Sequence, residues 1–68
     1  MSMIDLMTLK PGDRLQLIKG IVAEVTENMG DGMWVEVKLI EAPDRSDEVG
    51  TTELCHAQDI VKILSATP

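Results

Sequence analysis

The sequence predicts an all-β domain in which five short strands form a small closed or nearly closed barrel. Apolar and β-branched residues alternate with polar ones in several short segments, and Gly and Pro separate these segments. No segment is suited to a long helix. The chain has 68 residues, which is room for one domain. Five short strands in so small a domain favour a barrel, because closure protects the strand edges.

The barrel is predicted to begin at a turn and to span residues 10–64. Residues 1–9 mix Met and Leu with polar residues and would form at most one helical turn, since so short a helix is marginal alone. Residues 10–13 read Lys-Pro-Gly-Asp, which predicts a turn because Pro fixes φ and Gly permits unusual backbone angles. The first strand follows over residues 14–17. Residues 65–68 are predicted to be a tail.

A Gly-rich stretch between two alternating segments predicts a β-hairpin. Gly20 marks a bend before the first of these segments, residues 21–26, and the second covers residues 34–40. A two-residue loop of Asp31 and Gly32 would place like charges opposite each other and a lysine on the apolar face. We therefore predict a three-residue loop that begins at Gly30, with Gly32 in the left-handed conformation. Its register pairs Val25 with Val37, Ala23 with Leu39, Glu24 with Lys38 and Thr26 with Glu36.

The rest of the chain predicts two further strands. Residues 41–50 form a polar connector, which we expect to be the most mobile segment. Residues 51–56 resume the strand pattern. Residues 57–59 are too few for an α-helix but suit a single 3₁₀ turn, and residues 60–64 form the last strand.

The order of these features resembles the SH3-like small barrels, the superfold that includes KOW and Tudor domains. The resemblance covers residues 10–64 and rests on the opening turn, the Gly20 bend, the Gly-Asp-Gly hairpin and the strand, 3₁₀ turn, strand ending. It implies a five-stranded SH3-like barrel with one 3₁₀ turn before the last strand. Such barrels have many functions, so the resemblance identifies an architecture better than an activity.

A second, more local resemblance gives an alternative function. Residues 19–22, Lys-Gly-Ile-Val, are similar to the Lys-Gly core of KOW modules, which contact RNA or protein in ribosomal and transcription proteins. An RNA or ribosome contact is therefore the alternative to protein binding. The formal charge of −6 and the pI of 4.4 weigh against nucleic acid, because phosphate attraction needs positive potential.

The sequence predicts neither a membrane segment nor catalytic chemistry. No apolar run approaches the ~20 residues of a membrane span, and one unpaired cysteine without a secretion signal predicts the cytoplasm. Cys55 and His56 are neighbours on a strand and point to opposite faces, so they cannot converge on a substrate or metal. The acidic residues of the connector lack the spacing of a calcium loop. We therefore expect no enzyme activity, no cofactor and no metal.

The single tryptophan is the best candidate for a binding residue. In the predicted register Trp34 lies on the outer face with Ile40, with Val22 opposite Ile40 and with Glu24 and Glu36 between them. Aromatic anchors dominate interface energetics, so we expect a non-catalytic interaction module or small accessory subunit that binds a protein partner or itself. The competing interpretation is that the N-terminal segment covers Trp34, with Met3 and Met7 as packing partners.

Overall fold

The computed structural model describes residues 6–65, which form one antiparallel sheet of five strands in the order β4-β3-β2-β1-β5. Short 3₁₀ turns are the helical elements of this part of the chain, and none of its helices is long and apolar enough to span a membrane. The all-β class is confirmed. The strands are β1 (Arg14–Leu17), β2 (Val22–Asn28), β3 (Trp34–Glu41), β4 (Thr52–His56) and β5 (Ile60–Ser65), and the 3₁₀ turns are Leu6–Thr8, Ile18–Gly20, Ser46–Glu48 and Ala57–Asp59.

The sheet is not closed into a barrel, so the closed form of the predicted closed or nearly closed barrel is wrong. The Ala57–Asp59 turn, predicted from the sequence, redirects the chain between β4 and β5. As a result β5 pairs with β1, while β4 pairs with β3. The ladder therefore has two edges, β4 and β5, where a barrel would have none.

Alternation along the strands places the core on one face of the sheet, here called the inner face. Leu15, Ala23, Val25 and Val37 are fully buried, and Val25 lies opposite Val37 as predicted. The pairs of Ala23 with Leu39 and of Glu24 with Lys38 also follow the predicted register. The buried apolar residues are Leu6, Leu9, Leu15, Leu17, Ile21, Ala23, Val25, Val35, Val37, Leu39, Ala42, Cys55, Ala57 and Ile60.

The predicted loop of the β2–β3 hairpin is too short. Five residues, Met29–Met33, separate the strands, and Asn28 pairs with Val35. A register shift between Val25 and Glu27 accommodates the change: it leaves the core pairs in place but puts Glu27, instead of Thr26, opposite Glu36. Gly32 has the predicted positive φ, 78°.

Side-chain hydrogen bonds attach the chain before β1 to the hairpin. The Asn28 side-chain amide donates to the carbonyl oxygens of Leu6 and Leu9, at 2.6 and 2.9 Å. The backbone N–H of Lys10 donates to the carboxylate of buried Asp13 at 3.1 Å, within the predicted turn. The two Asn28 bonds connect segments that are far apart in sequence, and they fix the end of β2 from outside the β2–β3 ladder.

The polar connector between β3 and β4, expected to be the most mobile segment, contains the Ser46–Glu48 turn and a small ion-pair network. The Arg45 guanidinium bonds to the carboxylates of Glu48 and Glu53, the latter at 2.5 Å. This network joins the connector to β4.

Candidate protein-binding surface

Trp34 opens β3 on the outer face of the sheet. Its backbone N–H donates to the Asp31 side-chain carboxylate at 3.0 Å, which fixes the point where the strand begins. Trp34 is 36% exposed. The His56 ring, from the paired position on β4, lies against it edge to face, with centroids 4.8 Å apart and planes at 84°. The structure therefore holds the indole in place while leaving part of it open to a partner.

Two exposed apolar residues lie near Trp34, one by sequence and one by strand register. Met33 precedes it and is 50% exposed, and Leu54 of β4 is 56% exposed. Leu54 pairs with Glu36 and lies two residues from His56 on the same face of β4. We call Met33, Trp34, Leu54 and His56 the Trp34 surface. It combines a large aromatic side chain with aliphatic neighbours, which is the composition of an interface core.

An acidic pair adjoins the Trp34 surface. The register shift in β2 places exposed Glu27 opposite Glu36, two residues along β3 from Trp34. The Glu36 carboxylate accepts a hydrogen bond from the Thr26 hydroxyl at 2.8 Å, so Thr26 still contacts Glu36 although it is not its partner in the ladder. Like charges directly opposite each other are unfavourable in a sheet. A cationic partner would relieve this repulsion.

The other predicted binding residues lie farther from the indole. Ile40 is six positions from Trp34 on the same face of β3, a separation of about 20 Å. Val22 pairs with Glu41, not with Ile40 as predicted, because a register shift separates Val22 from Ala23. Both side chains are half-buried. Glu24 lies between the two ends of the sheet and forms an ion pair with Arg14 at 3.6 Å. Of the predicted set, Glu36 is therefore the neighbour of Trp34.

The competing prediction was that Met3 and Met7 cover the tryptophan. Met3 lies outside the described residues. Met7 is 61% exposed. Its sulfur lies near the hairpin loop, 3.9 Å from the position that a Cβ on Gly32 would occupy. The N-terminal turn thus reaches the loop that precedes Trp34.

Cys55 and His56 point to opposite faces, as their adjacency predicts. Cys55 is buried, and burial, with smaller contributions from the charges of Asp59 and Glu53, raises the pKa of its thiol to about 11. The thiol is therefore protonated at neutral pH and a poor nucleophile. His56 Nδ1 instead accepts a hydrogen bond from the Gln58 N–H at 3.1 Å, which caps the Ala57–Asp59 turn. Among the described residues, no group of three His, Cys, Asp or Glu side chains could hold a metal ion.

Sequence reasoning missed Leu54, His56 and Glu27 as neighbours of Trp34. The alternation of residues 51–56 indicated that Leu54 and His56 share a face, but the register of β4 on β3 depends on the ten-residue connector. Glu27 reaches its place only through the irregularity in β2. Comparisons of the chain with protein-family models, curated proteins and solved structures gave no significant match.

Proposed function

We propose that this chain is a non-catalytic interaction module that binds a protein partner through the Trp34 surface and its acidic edge. The observation that carries the proposal is a partly exposed indole beside two opposed carboxylates, Glu27 and Glu36. An apolar anchor fills the aromatic surface, and a basic flanking residue neutralises the carboxylates. The partner is therefore a segment in which apolar and basic residues alternate.

The architecture supports this interpretation. The strand, 3₁₀ turn, strand ending and the five antiparallel strands are compatible with an SH3-like domain, although the sheet is open between β4 and β5. Small domains of this kind serve as binding modules and accessory subunits. We propose the same role for this chain.

Fluorescence tests the proposal directly, because Trp34 is the only tryptophan. In dilute solution acrylamide should quench the emission. The quenching constant, divided by that of free N-acetyltryptophanamide with the same quencher, should be larger for caesium than for iodide, since the acidic edge attracts cations. The peptide acetyl-Lys-Leu-Lys-Leu-Lys-amide should protect the indole from acrylamide, whereas acetyl-Glu-Leu-Glu-Leu-Glu-amide should not.

Two matched variants test whether the cationic peptide protects the indole by binding at the acidic edge. Glu27→Gln should weaken protection by the cationic peptide by about twofold to fivefold, which is the scale of an exposed charge pair. Glu41→Gln, at the far end of β3, should leave it unchanged. An indole inaccessible to acrylamide, or equal protection by both peptides, would show that the surface is not a site for basic partners. A salt-sensitive affinity for labelled RNA would favour the KOW-like alternative instead.

A further inference from the structure

The His56 ring is a titratable group within the Trp34 surface. Its centroid lies 4.8 Å from that of the indole, and the two residues are paired across β3 and β4. His56 is also the only histidine in the chain. Imidazole is the side chain that ordinarily changes its charge between pH 5 and 8. A change of pH in this range therefore changes the charge of the Trp34 surface through His56.

The hydrogen bond that caps the Ala57–Asp59 turn requires a neutral ring. His56 Nδ1 accepts this bond from the backbone N–H of Gln58 at 3.1 Å. A ring nitrogen that accepts carries a free electron pair, so the proton of the neutral ring is on Nε2. A protonated imidazole has an N–H at both nitrogens and cannot accept. Protonation of His56 therefore breaks the cap and removes one constraint on the ring.

Three carboxylates lie around His56 on three different elements. Asp31 belongs to the hairpin loop, and the pKa of its carboxyl is lowered mainly by two backbone N–H groups and, to a smaller extent, by the positive charge of His56. Glu36 of β3 pairs with Leu54, two residues from His56 on the same face of β4. Asp59 lies at the end of the turn that His56 caps. A positive charge on His56 would therefore lie close to the carboxylates of this surface.

The cations of the outer face lie farther away. Lys38 pairs with Thr52, four residues from His56 along β4. The Arg14 guanidinium forms its ion pair with Glu24, on β1 and β2. Within the described strands, the register thus gives His56 a carboxylate but no lysine or arginine as a neighbour on its own face. A proton on His56 changes this end of the sheet from acidic to mixed charge.

We propose that protonation of His56 weakens the binding of basic partners at the Trp34 surface. This inference rests on the proposed function of that surface and adds its regulation. When the ring is neutral, Gln58 caps it and the carboxylates of Glu27 and Glu36 are available to a basic partner. When the ring is protonated, it loses the Gln58 N–H and its positive charge repels that partner. The Trp34 surface therefore binds at neutral pH and releases in mild acid.

NMR spectroscopy of the protein alone tests the coupling within the surface. The Cε1–H signal of His56 reports its protonation from pH 7.5 to pH 5.5. The amide signal of Gln58 and the indole N–H signal of Trp34 should follow the same titration curve, because the cap breaks and the ring contact changes. The amide signal of Ala23, in the buried core, should not follow it.

Peptide affinity at the two pH values tests the switch itself. Acetyl-Lys-Leu-Lys-Leu-Lys-amide keeps its charge over this range. Its Kd, measured by protection of the indole from acrylamide, should be about threefold higher at pH 5.5 than at pH 7.5, which is the scale of an exposed charge interaction. His56→Gln should give the same Kd at both pH values. Gln58→Ala, the matched control, keeps the backbone N–H and should retain the difference.

Three results would overturn the switch: a Gln58 amide signal that does not follow the His56 titration, equal Kd values of the wild-type protein at both pH values, or a difference that persists in His56→Gln. The first two use the unaltered protein, so they stand even if a variant folds poorly. A peptide that binds at neither pH would refute the proposed function of the Trp34 surface, and the switch would then have no binding to regulate.

Discussion

The two chain reversals on either side of β2 both need residues with positive φ, but they use different residue types there. The β2–β3 loop uses Gly30 and Gly32 where φ is positive, at 79° and 78°. The turn between β1 and β2 places Lys19 in that region, followed by Gly20. Glycine adopts positive φ without steric penalty, whereas lysine does not. The glycines of the hairpin thus suit its backbone, whereas Lys19 gives the β1–β2 turn a strained backbone.

Hydrogen bonding accentuates the difference. In the hairpin the Asn28 side chain accepts from the Gly30 N–H at 2.9 Å, and the Asp31 carboxylate accepts from the N–H groups of Met33 and Trp34. The Ile18–Gly20 turn has no side-chain cap. Local side-chain acceptors favour a defined loop conformation. We therefore expect substitutions in the hairpin loop to lower the free energy of unfolding. A substitution that relieves the positive φ in the β1–β2 turn should raise it.

The largest effect is expected at Gly32. Gly32→Val should lower the free energy of unfolding by about 2 kcal/mol, because a β-branched residue is forced to positive φ. A Cβ there would meet the Met7 sulfur at 3.9 Å, an ordinary contact, so the loss comes from the backbone. Gly32→Asn is the matched control and should lose much less, since Asn tolerates this region. Equal losses in urea denaturation would contradict this explanation.

A smaller, pH-dependent effect is expected at Asp31. The N–H groups of Met33 and Trp34 lower the pKa of its carboxyl below the ordinary 3.8. A carboxyl with a lowered pKa stabilises the fold above its unfolded-state pKa, and this contribution is lost as the pH falls through the folded-state value. Asp31→Ala should reduce the melting temperature at neutral pH, because the hydrogen bonds to the N–H groups of Met33 and Trp34 are both lost. The reduction should be smaller than that caused by Gly32→Val.

Asp31→Asn separates charge from hydrogen bonding, because the amide oxygen can still accept. Its melting temperature relative to the wild-type protein should rise as the pH falls below about 4, the ordinary pKa of the carboxyl in the unfolded chain, and on through the lowered folded-state pKa. The comparison cancels the titration of the other acidic residues. A constant difference between the two proteins from neutral to acidic pH would mean that the Asp31 hydrogen bonds do not depend on its charge.

The fold could be predicted from the sequence where local patterns determine it, and not where contacts between distant residues do. Alternation predicted the strands and the pairing of Val25 with Val37, because a shift of one residue would exchange the inner and outer faces. The end of the hairpin was predicted wrongly. There Asn28 bonds to the carbonyls of Leu6 and Leu9, more than eighteen residues away, and such a bond has no local signal.

The candidate binding surface likewise has one part that local alternation predicts and another that depends on tertiary pairing. The outward direction of Trp34 follows from strand alternation, but its contact with His56 depends on the register of β4. Glu27 likewise comes to lie opposite Glu36 only through the register shift in β2. Side chains that meet only through tertiary pairing leave no spacing pattern in the chain. Barrel closure failed as a prediction for a related reason, since it depends on how the two edge strands meet.

The smallest effect is expected at Lys19, and it has the opposite sign. Lys19→Gly should raise the free energy of unfolding by roughly 0.5 kcal/mol, because relief of the left-handed strain exceeds the added freedom of the unfolded chain. Lys62→Gly, on strand β5, should lower it instead. Urea denaturation measures the difference, and a loss of stability in Lys19→Gly would show that the Lys19 backbone is not strained.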